Sequence, residues 1–258
     1  MRNPRRRGVP SSDDFRATNR IMNELKGRMP SDHRFRINRF LLDTPALANI
    51  YMRARVNLRY QRVKNNSDIV IEGFPRSATS FALYAFRHAN PGSVIHGHTH
   101  SAQNVIAAAR LQVPTLLLVR HPDDVVASFV QLRSTRFETV FRGYSSFYEK
   151  LLPVVDQLVI GRFDAVTTNF GSVCMQINQK YARDFAVPQE TSDAQTAIAN
   201  AIDDAALRRG RGVVKETTVA RPSVHRRSTE EMMSEIAESA RRARELAISV
   251  FNEVTALK

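Results

Sequence analysis

Cysteine is almost missing from this chain of 258 residues, with Cys174 standing alone. An intramolecular disulfide is therefore excluded, and so is a metal cluster built on cysteines. A lone thiol suits a reducing compartment. Long apolar runs are also missing. The longest strongly apolar stretch, Val113 to Val119, contains Pro114 and is far too short to cross a bilayer. The N-terminus is basic (Arg2, Arg5, Arg6, Arg7), but no apolar segment follows it, so no secretory signal is expected. Acidic residues are outnumbered, 25 against 38, which leaves a net charge of +13. That balance favours an anionic partner: a nucleotide, an acidic glycan, nucleic acid or an anionic membrane surface. Its bland counterpart is a solvated basic surface with a basic tail. The 43% hydrophobic content is ordinary for a globular protein. The length fits one α/β domain with helical additions.

Along the chain, residues 1–20 read as a basic mobile tail and 21–258 as a single domain. Helical patterns cover Asp13 to Arg28 and Thr44 to Val63, with Pro45 at a first-turn position and Thr44 as its cap. Beyond the polar break Lys64 to Asp68 lies a core of about 68–220 in which strands and helices alternate. Ile69 to Ile71, a short strand within Ser93 to His100, Thr115 to Val119 and Phe163 to Asn169 read as strands. Helices are expected from Ser80, Ser101, Pro122, Ser172 and Ser192, and over Tyr144 to Leu158 with a kink or restart at Pro153. Ser228 and Glu231 form a capping box for a long final helix, 229–257. Its stripe of Ile236, Ala240, Ala243, Ala247, Val250, Val254 and Leu257 suits packing within the chain and leaves a homodimer contact open. The alternation implies a parallel sheet flanked by helices on both faces. The loops after Ile71, His98 and Val119 should converge at its carboxyl edge.

The stretch that organises the rest is Glu72-Gly-Phe-Pro-Arg-Ser-Ala-Thr-Ser-Phe81, a loop between a buried strand and a helix N-terminus. Loop amides and the helix dipole, worth roughly half a positive charge, make such a place hold phosphate. Gly73 and Ser80 match Walker A spacing, but Ala78 stands at the second glycine and Thr79 at the lysine. Arg76 is the cation of the loop, and Ser77, Thr79 and Ser80 supply hydroxyls. A second element pairs Arg120, at the end of an apolar strand, with Ser128, two turns into the next helix. The third is His96, His98 and His100, which an extended segment would place on one side. A histidine near a phosphate cradle can serve as general base. Zinc chelation by His-x-His is the rival reading, although nothing nearby completes a site.

Together these residues resemble the family of sulfotransferases that use 3′-phosphoadenosine 5′-phosphosulfate, over roughly 69–187 with a weaker trace to Lys215. Phe74-Pro-Arg-Ser-Ala-Thr-Ser-Phe81 is similar to the family's 5′-phosphosulfate loop, Pro-Lys/Arg-Ser-Gly-Thr-Thr/Ser. Val119-Arg-His-Pro-Asp-Asp-Val-Val-Ala-Ser128 is similar to its 3′-phosphate motif, Arg-x-Pro-x-Asp-x-x-x-Ser. The resemblance implies a P-loop nucleoside-kinase-like fold. It places Arg76 on the bridging and sulfate oxygens, Thr79 and Ser80 on the 5′-phosphate, and Arg120 and Ser128 on the 3′-phosphate. Ser77, Ala78 and Phe81 complete the first loop. His98-Thr99-His100 falls where many members carry a catalytic histidine, and either His98 or His100 would be the base. Arg209-Gly210 is faintly similar to a basic loop that helps hold the 3′-phosphate. Ala78 departs from the family's glycine, adding a methyl and restricting φ.

The expected activity is transfer of a sulfuryl group from this donor to a hydroxyl of a carbohydrate or small molecule, leaving adenosine 3′,5′-bisphosphate. No metal requirement and no specific nucleic-acid partner are expected, and the compartment expected is the cytoplasm. The alternatives are a P-loop kinase or NTPase with a degenerate loop, or a non-catalytic nucleotide-binding protein. The missing lysine, and Arg120 where an aspartate would be wanted, point away from Mg²⁺-ATP.

Overall fold

The computed structural model describes residues 29–209 and 227–256. The basic tail, the helix expected over Asp13 to Arg28, and Gly210 lie outside the described residues. Four parallel strands form the sheet: β1 (Ile69–Gly73), β2 (Ile95–Gly97), β3 (Thr115–Val119) and β4 (Val159–Arg162), in the order β2-β1-β3-β4. Every residue of β1 and β3 is buried, as their near-continuous apolar sequences require of strands covered on both faces. Ile69, Ile71, Leu116 and Leu118 face one core, and Leu117 and Val119 face the other. From β1 the chain runs to β2 on one side, then crosses back to β3 and β4 on the other. Between the carboxyl ends of β1 and β3 lies the crevice such a reversal creates. There the strands approach closely, and a Cβ on Gly73 would sit 2.8 Å from the carbonyl oxygen of Leu118.

Helices cover both faces. The Ile69 face packs α4 (Thr79–Ala89), α9 (Phe170–Tyr181) and α10 (Ser192–Arg209). The Leu117 face packs α5 (Ala102–Arg110), α6 (Pro122–Arg133), α7 (Phe137–Glu149) and α11 (Thr229–Ala256). In α11 the stripe of Ile236, Ala243, Ala247, Val250 and Val254 is buried against α6 and α7, so it serves packing within the chain. Its capping box closes in both directions, Ser228 N–H to Glu231 (2.7 Å) and Glu231 N–H to Ser228 Oγ (3.2 Å). The helix bends at Ala240, where φ is −144°. Among the described residues no helix is long and apolar enough to cross a membrane.

Several expectations need correcting. Phe163 to Asn169 is not a strand; α8 (Phe163–Thr168) occupies it, and β4 lies just before. Asp164 sits in the first helical turn, and the hydroxyls of Thr167 and Thr168 bond back to Phe163 and Asp164 carbonyls. These local bonds outweigh the β-branched composition that suggested a strand. Over Tyr144 to Leu158 the chain restarts at Pro153 and does not kink: α7 ends at Glu149, and a 3₁₀ turn, Leu152–Gln157, carries the proline at its start. Thr44 to Val63 breaks at Arg55, whose backbone is extended, into α2 (Pro45–Ala54) and the single turn α3 (Val56–Arg59). Thr44 does not cap α2, since its hydroxyl bonds back to Phe40 O at 2.7 Å. Ahead of it stands α1 (Ser31–Asp43), a helix the periodicity did not reveal because arginines interrupt its apolar face.

Candidate functional site

Beyond Gly73 the chain makes a tight loop into α4. Phe74 anchors its start, fully buried with its ring edge-on to Tyr144 (5.5 Å) and Phe147 (5.9 Å). Tyr148 Oη donates to Leu118 O at 2.7 Å and receives the Phe74 N–H at 3.4 Å, tying loop to sheet. The loop then passes through the left-handed region twice, at Arg76 (φ 75°) and Ala78 (φ 66°, ψ 19°). Within the loop the Ser77 N–H bonds back to Phe74 O at 3.3 Å, and Ala78 leads directly into the first N–H groups of α4. Thr79 Oγ1 lies at the start of that helix, in the wall of the cleft, buried and with no hydrogen-bond partner among the described residues. An orphaned hydroxyl at a helix N-terminus is what an anionic ligand would satisfy.

The two phosphate-type motifs meet here. Arg76 Nε donates to Ser128 Oγ at 2.8 Å, and Arg120 Nη1 donates to Arg76 O at 3.3 Å. Arg120 leaves β3 with its carbonyl fixed by Tyr144 Oη (2.8 Å). Its guanidinium lies 4.0 Å from the Phe163 ring centroid and 3.8 Å from Asp124. Both carboxylates opening α6 bond to α11, Asp123 from outside the cleft and Asp124 from its wall. Asp123 takes a bidentate bond from Arg244 (2.8 and 2.7 Å), and Asp124 receives Thr229 Oγ1 at 2.7 Å.

The histidine segment is not extended, which corrects the expectation that three side chains share one side. Gly97 (φ 122°), His98 (φ 60°) and His100 (φ 55°) are all left-handed, and a Cβ on Gly97 would come 2.1 Å from Ile71 O. His96 turns into the protein and pairs with Ser67 Oγ at 2.8 Å, a structural role. Burial, then Lys64 and Arg62, lowers its pKa. His98 and His100 both face the cleft, their rings edge-on at 5.0 Å. His100 Nδ1 lies 2.8 Å from Gly73 O. A carbonyl only accepts, so Nδ1 carries the proton and Nε2 keeps its lone pair. Burial, opposed by that bond and aided by Arg39 and Arg76, lowers the His100 pKa to about 4.

Two residues that the sequence reading passed over hold this segment. Glu72, fully buried in β1, accepts the N–H of Thr99 (2.8 Å), the N–H of His100 (3.0 Å), Asn104 Nδ2 (3.2 Å) and the Thr99 hydroxyl. Burial raises its pKa, against those hydrogen bonds. Arg39 of α1, ion-paired with Asp43, donates to His100 O at 2.6 Å. A carboxylate within an otherwise apolar buried strand was the available signal for Glu72. For Arg39, in a helix that was itself missed, there was none.

A cleft of about 1420 Å³ unites the cradle, both cleft-facing histidines, Arg120 and Ser128. Ala78, Thr79, Ser80 and Phe81 line it, whereas the Ser77 side chain is buried beneath the loop. Arg209 closes α10, part of which lines the same cleft, and its expected partner Gly210 is outside the described residues. The far wall comes from α1 and α2, where Arg55 Nη1 donates to Tyr51 Oη (3.1 Å) and Tyr51 Oη to Asn38 Oδ1 (2.8 Å). Among the described residues no group of three His, Cys, Asp or Glu side chains could hold a metal ion. No protein-family model matches the chain, and no curated protein matches it.

Proposed function

We propose that this protein is a sulfotransferase that moves a sulfuryl group from 3′-phosphoadenosine 5′-phosphosulfate to a hydroxyl of a carbohydrate or small molecule. The observation that carries this reading is the 2.8 Å bond from Arg76 Nε to Ser128 Oγ, which joins two phosphate motifs from separate elements. A cradle and a second basic site side by side suit a donor with phosphate at both ends. A strand, loop and helix at the reversal point of a parallel sheet support a P-loop-like architecture.

In this reading Thr79, Ser80 and the first amides of α4 bind the 5′-phosphate, and Arg120 and Ser128 bind the 3′-phosphate. The donor supplies a sulfur centre with a bisphosphate leaving group. Arg76 neutralises charge on the bridging oxygen, where a fixed cation in a water-poor site acts most strongly. His100 is favoured over His98 as the base, because its Nδ1 is committed to Gly73 O and Nε2 is left to take the acceptor's proton. Anionic groups bound beside it would raise its low pKa towards working range. The Asn38, Tyr51 and Arg55 wall suits a hydroxyl-rich acceptor, and its arginine an acidic glycan. The cytoplasm, as a reducing compartment, belongs to the same reading.

Calorimetry with adenosine 3′,5′-bisphosphate tests it. Metal-independent binding is expected in the wild type, at least tenfold weaker in Arg120→Ala, since a charge-assisted bond contributes about 1.5–3 kcal/mol. Absence of binding, or tight Mg²⁺-dependent ATP binding instead, would overturn the reading. Bisphosphate binding without sulfuryl transfer to any of a panel of glycans and phenols would make the protein a binding module.

A further inference from the structure

We propose that Glu72 is the positioning residue of the base: its carboxylate fixes the backbone of Thr99 and His100 so that His100 Nε2 faces the cleft. The kinetic consequence rests on the sulfotransferase reading; the geometry does not.

The segment that carries the cleft-facing histidines stands in an unfavourable conformation. His98 and His100 are both left-handed. Each such residue is unfavourable for an L-amino acid, whose Cβ crowds the following carbonyl oxygen. It persists only if surrounding bonds over-determine it. Glu72 is the hub of those bonds. Its Oε1 accepts from the Thr99 N–H, the Thr99 hydroxyl and Asn104, and its Oε2 from the His100 N–H. Asn104 in turn receives the Val63 N–H at 2.9 Å, so the hub is itself braced. Gly73, which receives His100 Nδ1, is the residue after Glu72 in β1. One rigid buried strand therefore sets both the backbone and the ring of His100. Buried fully and accepting through both oxygens, the side chain does not touch the ligand space itself.

The two oxygens make a selective test available. In Glu72→Gln the amide oxygen would keep the Oε1 position, where the three donors converge. The amide nitrogen would then face the His100 N–H, donor against donor. The shape of the core is preserved while the bond to His100 is lost. The expected result is a fall in kcat of about tenfold to hundredfold, smaller than the 10²–10⁴ that removal of a general base costs. Affinity for adenosine 3′,5′-bisphosphate should stay within about twofold of wild type, because the phosphate sites do not involve this bond.

Nitrogen-15 NMR of the imidazole, on the ligand-free full chain, supplies a readout independent of the reaction. Wild-type His100 should give the signature of an Nδ1–H tautomer, and Glu72→Gln a mixture. Thr99→Val removes one donor without placing a donor against His100, and should move tautomer and kcat the same way to a smaller extent. It carries the test if Glu72→Gln does not fold. A wild-type tautomer and an unchanged kcat in the variants would overturn the proposal. A wild type that shows the Nδ1–H tautomer but binds no bisphosphate would instead sink the sulfotransferase reading and leave the geometric role of Glu72 standing.

Discussion

Ala78 occupies a left-handed position that suits glycine, and it is the residue that departs from the sulfotransferase loop it resembles. Relief of that conformation is worth roughly 1–2 kcal/mol. The methyl also packs on the core, and losing it costs up to about 0.8 kcal/mol. Ala78→Gly should therefore raise stability, by less than about 1.5 kcal/mol, in urea titrations; a decrease would contradict the left-handed placement. His100 gives a second prediction. Its folded pKa of about 4 lies below the ordinary 6.5. Between those values the unfolded chain binds a proton that the folded chain does not, so stability falls as pH drops from 6.5 to 4. His96 acts in the same direction, and Glu72, with its raised pKa, in the opposite one. Comparison with a variant isolates the one group. Between pH 7 and 4.5, His100→Asn should lose about 2 kcal/mol less than wild type. Of the candidate site, the convergence of Arg76, Thr79, Arg120 and Ser128 on one cleft was legible, because loops leaving neighbouring strands at their carboxyl ends meet there. Which histidine faces inward was not, because three left-handed residues break the strand alternation that the pattern assumed.

Elements around the cleft are tied together through residues outside its lining. Arg244 of α11 reaches across to Asp123 at the start of α6, a carboxylate only 4% exposed. Removing the cation leaves that carboxylate buried and uncompensated. Breaking a fully buried pair costs about 3–5 kcal/mol, and the partly exposed Arg244 brings the expected cost of Arg244→Ala to about 2 kcal/mol. Hydrogen exchange should quicken along α11, and Asp123→Asn in the same background should restore part of the loss. β3 was legible to the residue, since Leu116 to Val119 is an unbroken apolar run, too short for a helix and bounded by Pro114, as a strand covered on both faces requires. β4 was hidden, because Val159-Ile-Gly-Arg162 is short and runs straight into a helix. Helix α1 was hidden for another reason. Arg39, buried and ion-paired, stands at a core-facing position where the periodicity called for an apolar residue.

At the scale of the molecule, the chain carries 13 more positive than negative charges, and its cleft opens beyond the carboxyl ends of a parallel sheet, with the α1–α2 hairpin as its far wall. The sheet and its two covered faces followed from alternation of strands and helices. The hairpin's place over the cleft rests on contacts between residues distant in sequence. One such contact reaches into the order of assembly. Arg39 bolts the carbonyl of His100 across 61 residues of sequence. The bond from Arg76 to Ser128 spans 52, and that from Arg244 to Asp123 spans 121. Each needs a large loop closed before it forms, and closures of that length come late in folding. α1 leaves the ribosome early and must wait for the strands it will serve. A chain that has collapsed around its sheet would thus still leave the His100 carbonyl unanchored until α1 comes back to dock.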